Sequence, residues 1–347
     1  MEQLRQGLSS YESSMLSSVK IKLTSFCNLR CQMCHYWKTT QEVALTTQQW
    51  LDILGQLSAL GCRKVHFSGG EVFLRRDFLD LVECASGLGM KVNLTTNGTL
   101  LTDERVRRLV KAKPNSISVS LDGPGPEVHD AIRGIPGSFK RTTRTIRHIL
   151  KFGTRWGRSP KIRINFVIQR QNYRVVPRMV ELAAALGAVE LHPMPVDEKG
   201  ERKNRLSGRQ IERYNREVAP LVEERRRAAG FSLAPGLVYP FGRSEAEIAH
   251  SKQGLYALGQ YRTMPCLAPW LHLFIGWDGE CFLCCMTNHR METLGNIARE
   301  GAAGVFNGAA MRAVRKRFME GQMEPSCARC DMFLEENTLL HKALLPD

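Results

Sequence analysis

The chain has 347 residues, of which 49 are Lys or Arg and 34 are Asp or Glu, so its formal net charge is +15. Hydrophobic residues make up 43% of the chain, a globular composition that excludes a disordered or collagen-like protein. The first 18 residues contain no apolar segment typical of a secretory signal, and no stretch of about 18 apolar residues occurs anywhere. We therefore expect a cytoplasmic protein with no membrane partner.

Short β-rich runs alternate with helical patterns from residue 19 to residue 195, which predicts a parallel sheet built from βα units. The predicted strands are 19–24, 64–68, 91–96, 116–121, 161–168 and 189–194, and the predicted helices between them are 46–59, 77–88, 102–112, 138–152 and 175–186. Most strands are polar on one face, as Ser116, Ser118 and Ser120 show. An open sheet covered on both faces would be apolar throughout, so the pattern favours a curved partial barrel with a polar lumen.

The rest of the chain divides into three further regions. Residues 1–18 are an N-terminal extension, residues 196–261 are a charged helical linker, and residues 262–347 form a small C-terminal domain in which a final helical pattern runs to Leu345. The mixed signs of charge in the linker predict a solvated helix, and a functional basic patch is the alternative.

The 11 cysteines of the chain fall mainly into two groups, and their odd number favours metal ligation over a disulfide framework. The first group, Cys27, Cys31 and Cys34, follows the first predicted strand, at the sheet edge where parallel α/β folds gather their active sites. Three such thiolates hold either zinc or a cubane iron–sulfur cluster. A cubane held by three cysteines leaves one iron open for a small molecule.

The C-x3-C-x2-C spacing, with Met33 before the third cysteine, resembles the signature of the radical S-adenosylmethionine (SAM) superfamily. Four later segments agree with it in order: Ser68-Gly69-Gly70-Glu71, Thr95-Thr96-Asn97-Gly98, Ser118-Val119-Ser120-Leu121-Asp122-Gly123 and His129-Asp130-Ala131-Ile132-Arg133-Gly134. This resemblance implies a (βα)6 partial barrel over residues 19–195. It also implies SAM, a catalytic 4Fe–4S cluster and a flavodoxin- or ferredoxin-type electron donor.

The resemblance also assigns roles to residues. Cys27, Cys31 and Cys34 would bind the catalytic cluster, while Glu71, with Gly69 and Gly70, would bind the methionine amino group of SAM. The remaining SAM contacts would come from Met33 on the adenine, Asn97 of the third-strand segment, Ser120 on the ribose and methionine, and Arg133 on the carboxylate. In this family one electron cleaves SAM to a 5′-deoxyadenosyl radical, which abstracts a hydrogen atom from the substrate.

The second cysteine group resembles the SPASM and twitch auxiliary-cluster domains of the same superfamily, in the spacing of Cys266, Gly279 and Cys284 before Cys327-Ala328-Arg329-Cys330. A full SPASM domain has further cysteines, but Glu336 stands at the next position expected for one. The resemblance therefore implies one auxiliary 4Fe–4S cluster, bound by Cys266, Cys284, Cys327 and Cys330. Cys281 is the rival ligand, and zinc is the alternative metal because CxxC pairs are common zinc motifs.

For the reaction we expect oxidation or epimerisation of a small polar metabolite, sugar-, cyclitol- or nucleotide-like and neutral or anionic. Polar residues on the predicted fifth and sixth strands would contact it: Arg163, Asn165, Glu190 and His192. In an epimerase, Cys281 or Cys285 would be the hydrogen donor. The first alternative is a maturase of a ribosomally synthesised peptide. The second, suggested by the basic charge, is an RNA-modifying or RNA-binding protein, but no RNP-like motif or zinc-finger spacing supports a nucleic-acid partner.

Overall fold

The structure is a computed structural model that describes residues 2–39, 44–198, 202–331 and 334–344. Residues 199–201 of the charged segment and the last residue of the predicted C-terminal helix, Leu345, lie outside these ranges. No described helix combines the length and the apolar composition that crossing a membrane requires.

The strands, β1 to β8 in chain order, are Ser18–Lys22, Lys64–Ser68, Lys91–Thr96, Ser116–Ser120, Lys161–Ile168, Glu190–Pro195, His272–Ile275 and Cys281–Phe282. The helices, α1 to α15, are Glu2–Ser10, Thr47–Ala59, Phe78–Gly87, Asp103–Lys111, Pro126–Arg133, Ser138–Arg155, Val176–Ala185, Gly208–Arg213, Ala219–Ala229, Pro235–Val238, Glu245–Gln253, Ala268–Leu271, Ile297–Phe306, Ala309–Met319 and Leu334–Leu344. The six predicted strands and the five predicted helices are all present close to their predicted bounds. No bounds were predicted for the other ten described helices or for strands β7 and β8.

Residue contacts divide the chain into two compact units, and β3 passes from the first into the second. The first unit comprises Met1–Ser25, Gln41–Asn93 and Gly259–Asp347. In it β1 pairs in parallel with β2 on one side and with β7 on the other, and β8 pairs antiparallel with β7. The strand order β2-β1-β7-β8 thus brings a strand of the C-terminal region beside the first strand of the chain.

Helix α1 also belongs to the first unit and packs on elements near the end of the chain. Its residue Leu4 forms a buried cluster with Leu267 and Trp270, and Leu340 of α15 packs against that cluster. The Trp270 Nε1 donates a hydrogen bond to the carbonyl of Gly7 at 2.8 Å. The N-terminal helix is therefore held by the C-terminal region through both apolar contact and a buried hydrogen bond.

The second unit comprises Phe26–Thr40 and Leu94–Leu258. Its strands β4, β5 and β6 pair in parallel in that order. Along β5, Ile162, Ile164 and Phe166 are fully buried, whereas Arg163 is exposed and Asn165 half-buried. The predicted alternation of apolar and polar faces is confirmed in this strand.

The charged segment after β6 folds into α8 to α11, in the second unit. Arg216 and Arg227 are exposed, in line with a solvated helix face, but Arg226 of α9 is fully buried. Its guanidinium pairs with the Glu190 carboxylate of β6 at 2.6 Å and donates to the Leu191 carbonyl at 2.9 Å. A buried arginine needs such partners, because an unpaired charge in the interior is costly.

Candidate active site

The loop that carries the first three cysteines lies in the second unit and is held against the end of α5. Arg30 and Gln32 donate backbone hydrogen bonds to the carbonyls of Arg133 and Ile132, each at 3.0 Å. Gly134 ends α5 with φ +71°, and a Cβ there would meet the Arg30 carbonyl oxygen at 2.5 Å. Only glycine permits this close approach, so the helix end sets the path of the cysteine loop.

The Thr-Asn-Gly segment after β3 supports the same loop from another side. The Asn97 Nδ2 donates to Asn28 Oδ1 at 2.9 Å and lies 4.0 Å from the sulfur of Cys27. The Asn28 amide in turn donates to Thr99 Oγ1 at 2.8 Å, and the Thr99 hydroxyl donates to Asn97 Oδ1 at 2.7 Å. The structure thus brings Asn97, which was predicted as a SAM contact, beside a predicted cluster ligand.

A buried ion pair lies behind Cys31. One guanidinium nitrogen of Arg133 is 2.7 Å from the fully buried carboxylate of Asp122, and another is 3.7 Å from the sulfur of Cys31. The other carboxylate oxygen of Asp122 accepts a hydrogen bond from the Val167 amide at 2.8 Å. Burial raises the pKa of the Cys31 thiol and the neighbouring Arg133 opposes that shift. The guanidinium therefore favours the thiolate form of Cys31.

No role was predicted for Asp122 from the sequence. The signal was an acidic residue directly after a buried strand, which is unusual unless a cation pairs with it.

The predicted SAM contacts of this unit have polar neighbours. The side-chain amide nitrogen of Gln169 lies 3.9 Å from the sulfur of Met33. Ser120, at the end of β4, is half-buried. The assignment of Met33, Ser120 and Arg133 as SAM contacts stays a prediction.

The Gly-Gly-Glu segment lies in the first unit, directly after β2. Gly69 has φ +144°, and a Cβ there would meet the Thr24 carbonyl oxygen at 2.4 Å. Gly70 donates a backbone hydrogen bond to that same oxygen at 2.7 Å. The carboxylate of Glu71 is buried and accepts from the Phe73 amide at 3.2 Å. Close backbone packing therefore requires glycine at position 69, and a hydrogen bond to the backbone holds the Glu71 carboxylate.

The second cysteine group lies in the first unit. Cys266, Cys284, Cys327 and Cys330 are all buried. Burial, together with the neighbouring sulfurs of Cys285 and Cys266, raises the pKa of Cys284 to about 12. Burial likewise raises the pKa of Cys327, with contributions from Cys284 and Cys266. Several buried thiols that repel one another when ionised are stable as thiolates only when a cation compensates them.

The two remaining cysteines near this group differ in their surroundings. Cys281 is fully buried in β8, opposite Ile275, and its sulfur is 3.5 Å from the Gly279 carbonyl oxygen. Burial raises its pKa, and the carboxylates of Glu280, Glu300 and Asp278 act in the same direction. Cys285 is half-buried beside Cys284.

The chemistry of the donors fits iron–sulfur clusters. All eleven cysteines lie in described residues and none forms a disulfide. Among the described residues no three Cys, His, Asp or Glu side chains converge as the ligands of one metal ion would. In a cubane, by contrast, each cysteine binds a separate iron atom. Side chains that donate to sulfur, such as Arg133 to Cys31, are the outer contacts that such ligands take.

The substrate contacts expected on β5 and β6 occupy neighbouring positions in the second unit. Ser120 of β4 is in register with Asn165 of β5, which is in register with His192 of β6. All three are half-buried, whereas the residues before them in each strand are fully buried. Burial and the nearby Arg163 and Arg226 lower the pKa of His192, so its imidazole is neutral near pH 7. The carboxylate of Glu190 forms an ion pair with Arg226.

Two profiles of known families match the chain. The Radical SAM superfamily profile matches residues 21–167, and an iron–sulfur cluster-binding domain profile, SPASM, matches residues 266–331. The matches include both cysteine groups.

Three similar proteins indicate the range of activities among the relatives. The AdoMet-dependent heme synthase of Methanosarcina barkeri is 28% identical over 320 residues, covering 89% of this chain and 87% of that protein. The PqqA peptide cyclase of Rhodopseudomonas palustris is 28% identical over 324 residues, covering 90% and 78%. Streptococcus suis SuiB, in a crystal structure with its precursor peptide SuiA, has a TM-score of 0.69 at 17% identity, covering 96% of this chain and 75% of SuiB. The shared fold and the parallel strands confirm the predicted α/β partial barrel with a C-terminal auxiliary-cluster domain.

Proposed function

Because the chain belongs to the radical SAM superfamily and carries a C-terminal SPASM domain, we propose that it modifies a peptide by abstracting a hydrogen atom from it. The cofactors of such an enzyme are SAM and 4Fe–4S clusters, and a reduced cluster supplies the electron that cleaves SAM to methionine and a 5′-deoxyadenosyl radical. The peptide cyclase among the relatives supports a peptide substrate. A sugar-, cyclitol- or nucleotide-like metabolite, our first expectation, finds less support.

The register row of Ser120, Asn165 and His192 is the observation that carries the proposal. Its three side chains are uncharged near pH 7, since the pKa of His192 is lowered, and each both donates and accepts hydrogen bonds. Such groups match the amide N–H and C=O of a peptide. The row begins two residues before Asp122, whose partner Arg133 contacts Cys31. Ser120 is also a predicted SAM contact, so a peptide bound at Asn165 and His192 would lie next to SAM and to the residues around Cys31.

In this proposal the chain's own residues position the cysteine loop and the substrate and exclude water, and they do not react themselves. Asp122 holds Arg133 against Cys31, and the Asn97–Asn28 pair fixes the loop beside Cys27. The buried face of β5 under the row keeps water from one side of the substrate. A rigid arrangement of this kind is needed because a primary carbon radical reacts with any accessible C–H bond, and position alone decides which one.

The first experiment tests the class of chemistry. Anaerobically reconstituted protein is incubated with SAM and dithionite, and 5′-deoxyadenosine is measured. We expect Cys31→Ala to abolish its formation. Cys62→Ala is the matched control, because Cys62 is a buried thiol in the first unit outside both cysteine groups, and it should retain activity. Equal rates in wild type and Cys31→Ala would contradict the catalytic role of the first group.

The second experiment tests the substrate class. Peptides encoded by short open reading frames beside the gene are made fully deuterated and incubated with the enzyme and SAM. Transfer of deuterium into 5′-deoxyadenosine, read by mass spectrometry, would support a peptide substrate. A tetrapyrrole carboxylic acid with deuterated side chains tests the second candidate, which the heme synthase relative favours. Deuterium transfer from the tetrapyrrole and from none of the peptides would overturn the peptide proposal.

A further inference from the structure

Two polar side chains, both in the first unit, direct hydrogen-bond donors at one sulfur of the second cysteine group. Asn337 of α15 is only 1% exposed, and its side-chain Nδ2 lies 3.4 Å from the sulfur of Cys266. The same nitrogen lies 3.2 Å from the hydroxyl oxygen of Tyr261. Neither residue was singled out in the sequence, where Asn337 is 71 positions from Cys266.

The orientation of the Asn337 amide is determined by its other end. Its Oδ1 accepts a hydrogen bond from the Leu267 backbone amide at 2.7 Å. Only the NH₂ group is then left to face Cys266, which resolves the usual ambiguity of an asparagine side chain. The Asn337 amide therefore links the backbone N–H of Leu267 to the sulfur of the preceding residue, Cys266.

Tyr261 acts on the same sulfur. Its hydroxyl is hydrogen-bonded to Cys266, and the hydroxyl oxygen accepts from the Asn337 amide at 3.2 Å. Because the oxygen already accepts from Asn337, the hydroxyl hydrogen is the part left to face the sulfur of Cys266. A cysteine sulfur accepts such hydrogen bonds most strongly as a thiolate, the form that iron binds.

We propose that Asn337 and Tyr261 raise the reduction potential of the auxiliary cluster by donating hydrogen bonds to the sulfur of Cys266. Reduction adds one negative charge to the cluster, and part of that charge resides on the ligand sulfurs. Donors directed at a sulfur therefore stabilise the reduced form more than the oxidised form. The proposal rests on Cys266 being a ligand, and through that on the cofactors named under the proposed function. A higher potential makes the cluster a better electron acceptor.

The test is an equilibrium measurement on the auxiliary cluster alone. Replacing Cys27, Cys31 and Cys34 together by Ala removes the predicted ligands of the other cluster, and the remaining midpoint potential is read by EPR during an anaerobic dye-mediated titration. Tyr261→Phe and Asn337→Leu are then made in this background. For the two changes together we expect the reduced-to-oxidised ratio at a fixed potential to fall about tenfold, which is about 59 mV for one electron.

Thr338→Val is the matched control for loosening of α15. The Thr338 hydroxyl accepts a hydrogen bond from Gln260 at 3.1 Å, so its loss weakens helix docking without removing the Asn337 contact to sulfur. We expect the midpoint of this variant to equal that of the parent. A shift as large as that of Asn337→Leu would overturn the proposal, because it would show that helix position sets the potential.

Two further outcomes are decisive. Unchanged midpoints in Tyr261→Phe and Asn337→Leu, with four irons retained, would overturn the proposal, and the isosteric Tyr261→Phe serves if the Leu variant does not fold. Cys266→Ala in the same background should lose the cluster iron. Full iron in that variant would show that Cys266 is not a ligand and would likewise overturn the proposal. None of these readouts uses a substrate. The proposal of a peptide substrate is therefore tested separately, by deuterium transfer into 5′-deoxyadenosine.

Discussion

The buried ion pair behind Cys31 predicts a large and pH-dependent effect of Arg133→Met. Methionine fills similar space but removes the guanidinium that lies 2.7 Å from Asp122. The carboxylate of Asp122 is then buried without a counter-charge, and removing one partner of such a pair costs about 3–5 kcal/mol. The cost is limited because the folded protein can protonate Asp122 instead.

The protonation limit gives the pH dependence. Neutralising a carboxyl group whose unfolded pKa is about 3.9 costs about 1.36 kcal/mol per pH unit above that value. At pH 6, protonation of Asp122 therefore limits the loss of stability to about 3 kcal/mol. At pH 8 the limit exceeds about 5 kcal/mol, the upper end of the range for a broken ion pair. Burial already raises the pKa of Asp122 in the folded wild type, against the lowering effect of Arg133. Without Arg133 the folded state binds the proton more tightly than the unfolded state, so stability falls as pH rises.

Urea unfolding followed by circular dichroism at pH 6 and pH 8 measures this loss. The double variant Asp122→Asn, Arg133→Met removes the buried charge and should recover much of the stability at pH 8. The same variant separates structure from ligand binding: if Arg133 also holds the SAM carboxylate, stability recovers while SAM affinity does not. A loss below about 1 kcal/mol at both pH values, or no recovery in the double variant, would refute the role of the pair.

Three further predictions follow from the same sites. Gly69→Ala should lower the free energy of unfolding by about 1–3 kcal/mol and weaken SAM binding, because φ is +144° there and a Cβ would meet backbone at 2.4 Å. Gly55→Ala is the helical control, and because its Cβ would enter open space it should not destabilise the protein. Cys284→Ala should lose the auxiliary cluster in iron analysis, whereas Cys285→Ala should keep it, and equal iron in both would contradict the ligand set. His192→Leu should slow deuterium transfer from a peptide about tenfold or more while 5′-deoxyadenosine still forms without peptide, and unchanged transfer would remove His192 from the proposed row.

The elements that the sequence predicted are those with a local pattern. Strand β5 alternates polar and apolar residues from Lys161 to Phe166, and helix α2 begins after Thr46, whose hydroxyl accepts from the Gln49 amide. Strand β7, by contrast, has four buried residues and no alternation. Its stability comes from pairing with β1, where Ser18 is in register with His272. A pairing across so much chain leaves no periodic signal in either segment.

The candidate site divides in the same way. The spacing of Cys27, Cys31 and Cys34 is local, so the sequence was sufficient to predict a cluster there. The partner of Arg133 was harder to find, because only the folded chain brings Asp122 within 2.7 Å of it. Asn337 was beyond prediction, since a helical pattern gives the existence of α15 but not which of its polar residues meets Cys266.

Spacing leaves Cys281 and Cys284 as rival ligands of the auxiliary cluster, and the fold places them in different surroundings. Both fit a C-x-x-C pattern, but β8 ends at Phe282 and the chain turns before Cys284. Cys281 is thereby fixed in the strand and fully buried. Cys284 interacts with the sulfurs of Cys285 and Cys266. The ligands of one cluster lie close to one another, so we propose Cys284 rather than Cys281 as the ligand. Cys281→Ser should leave the iron content unchanged, and a loss of auxiliary iron in that variant would reverse the assignment.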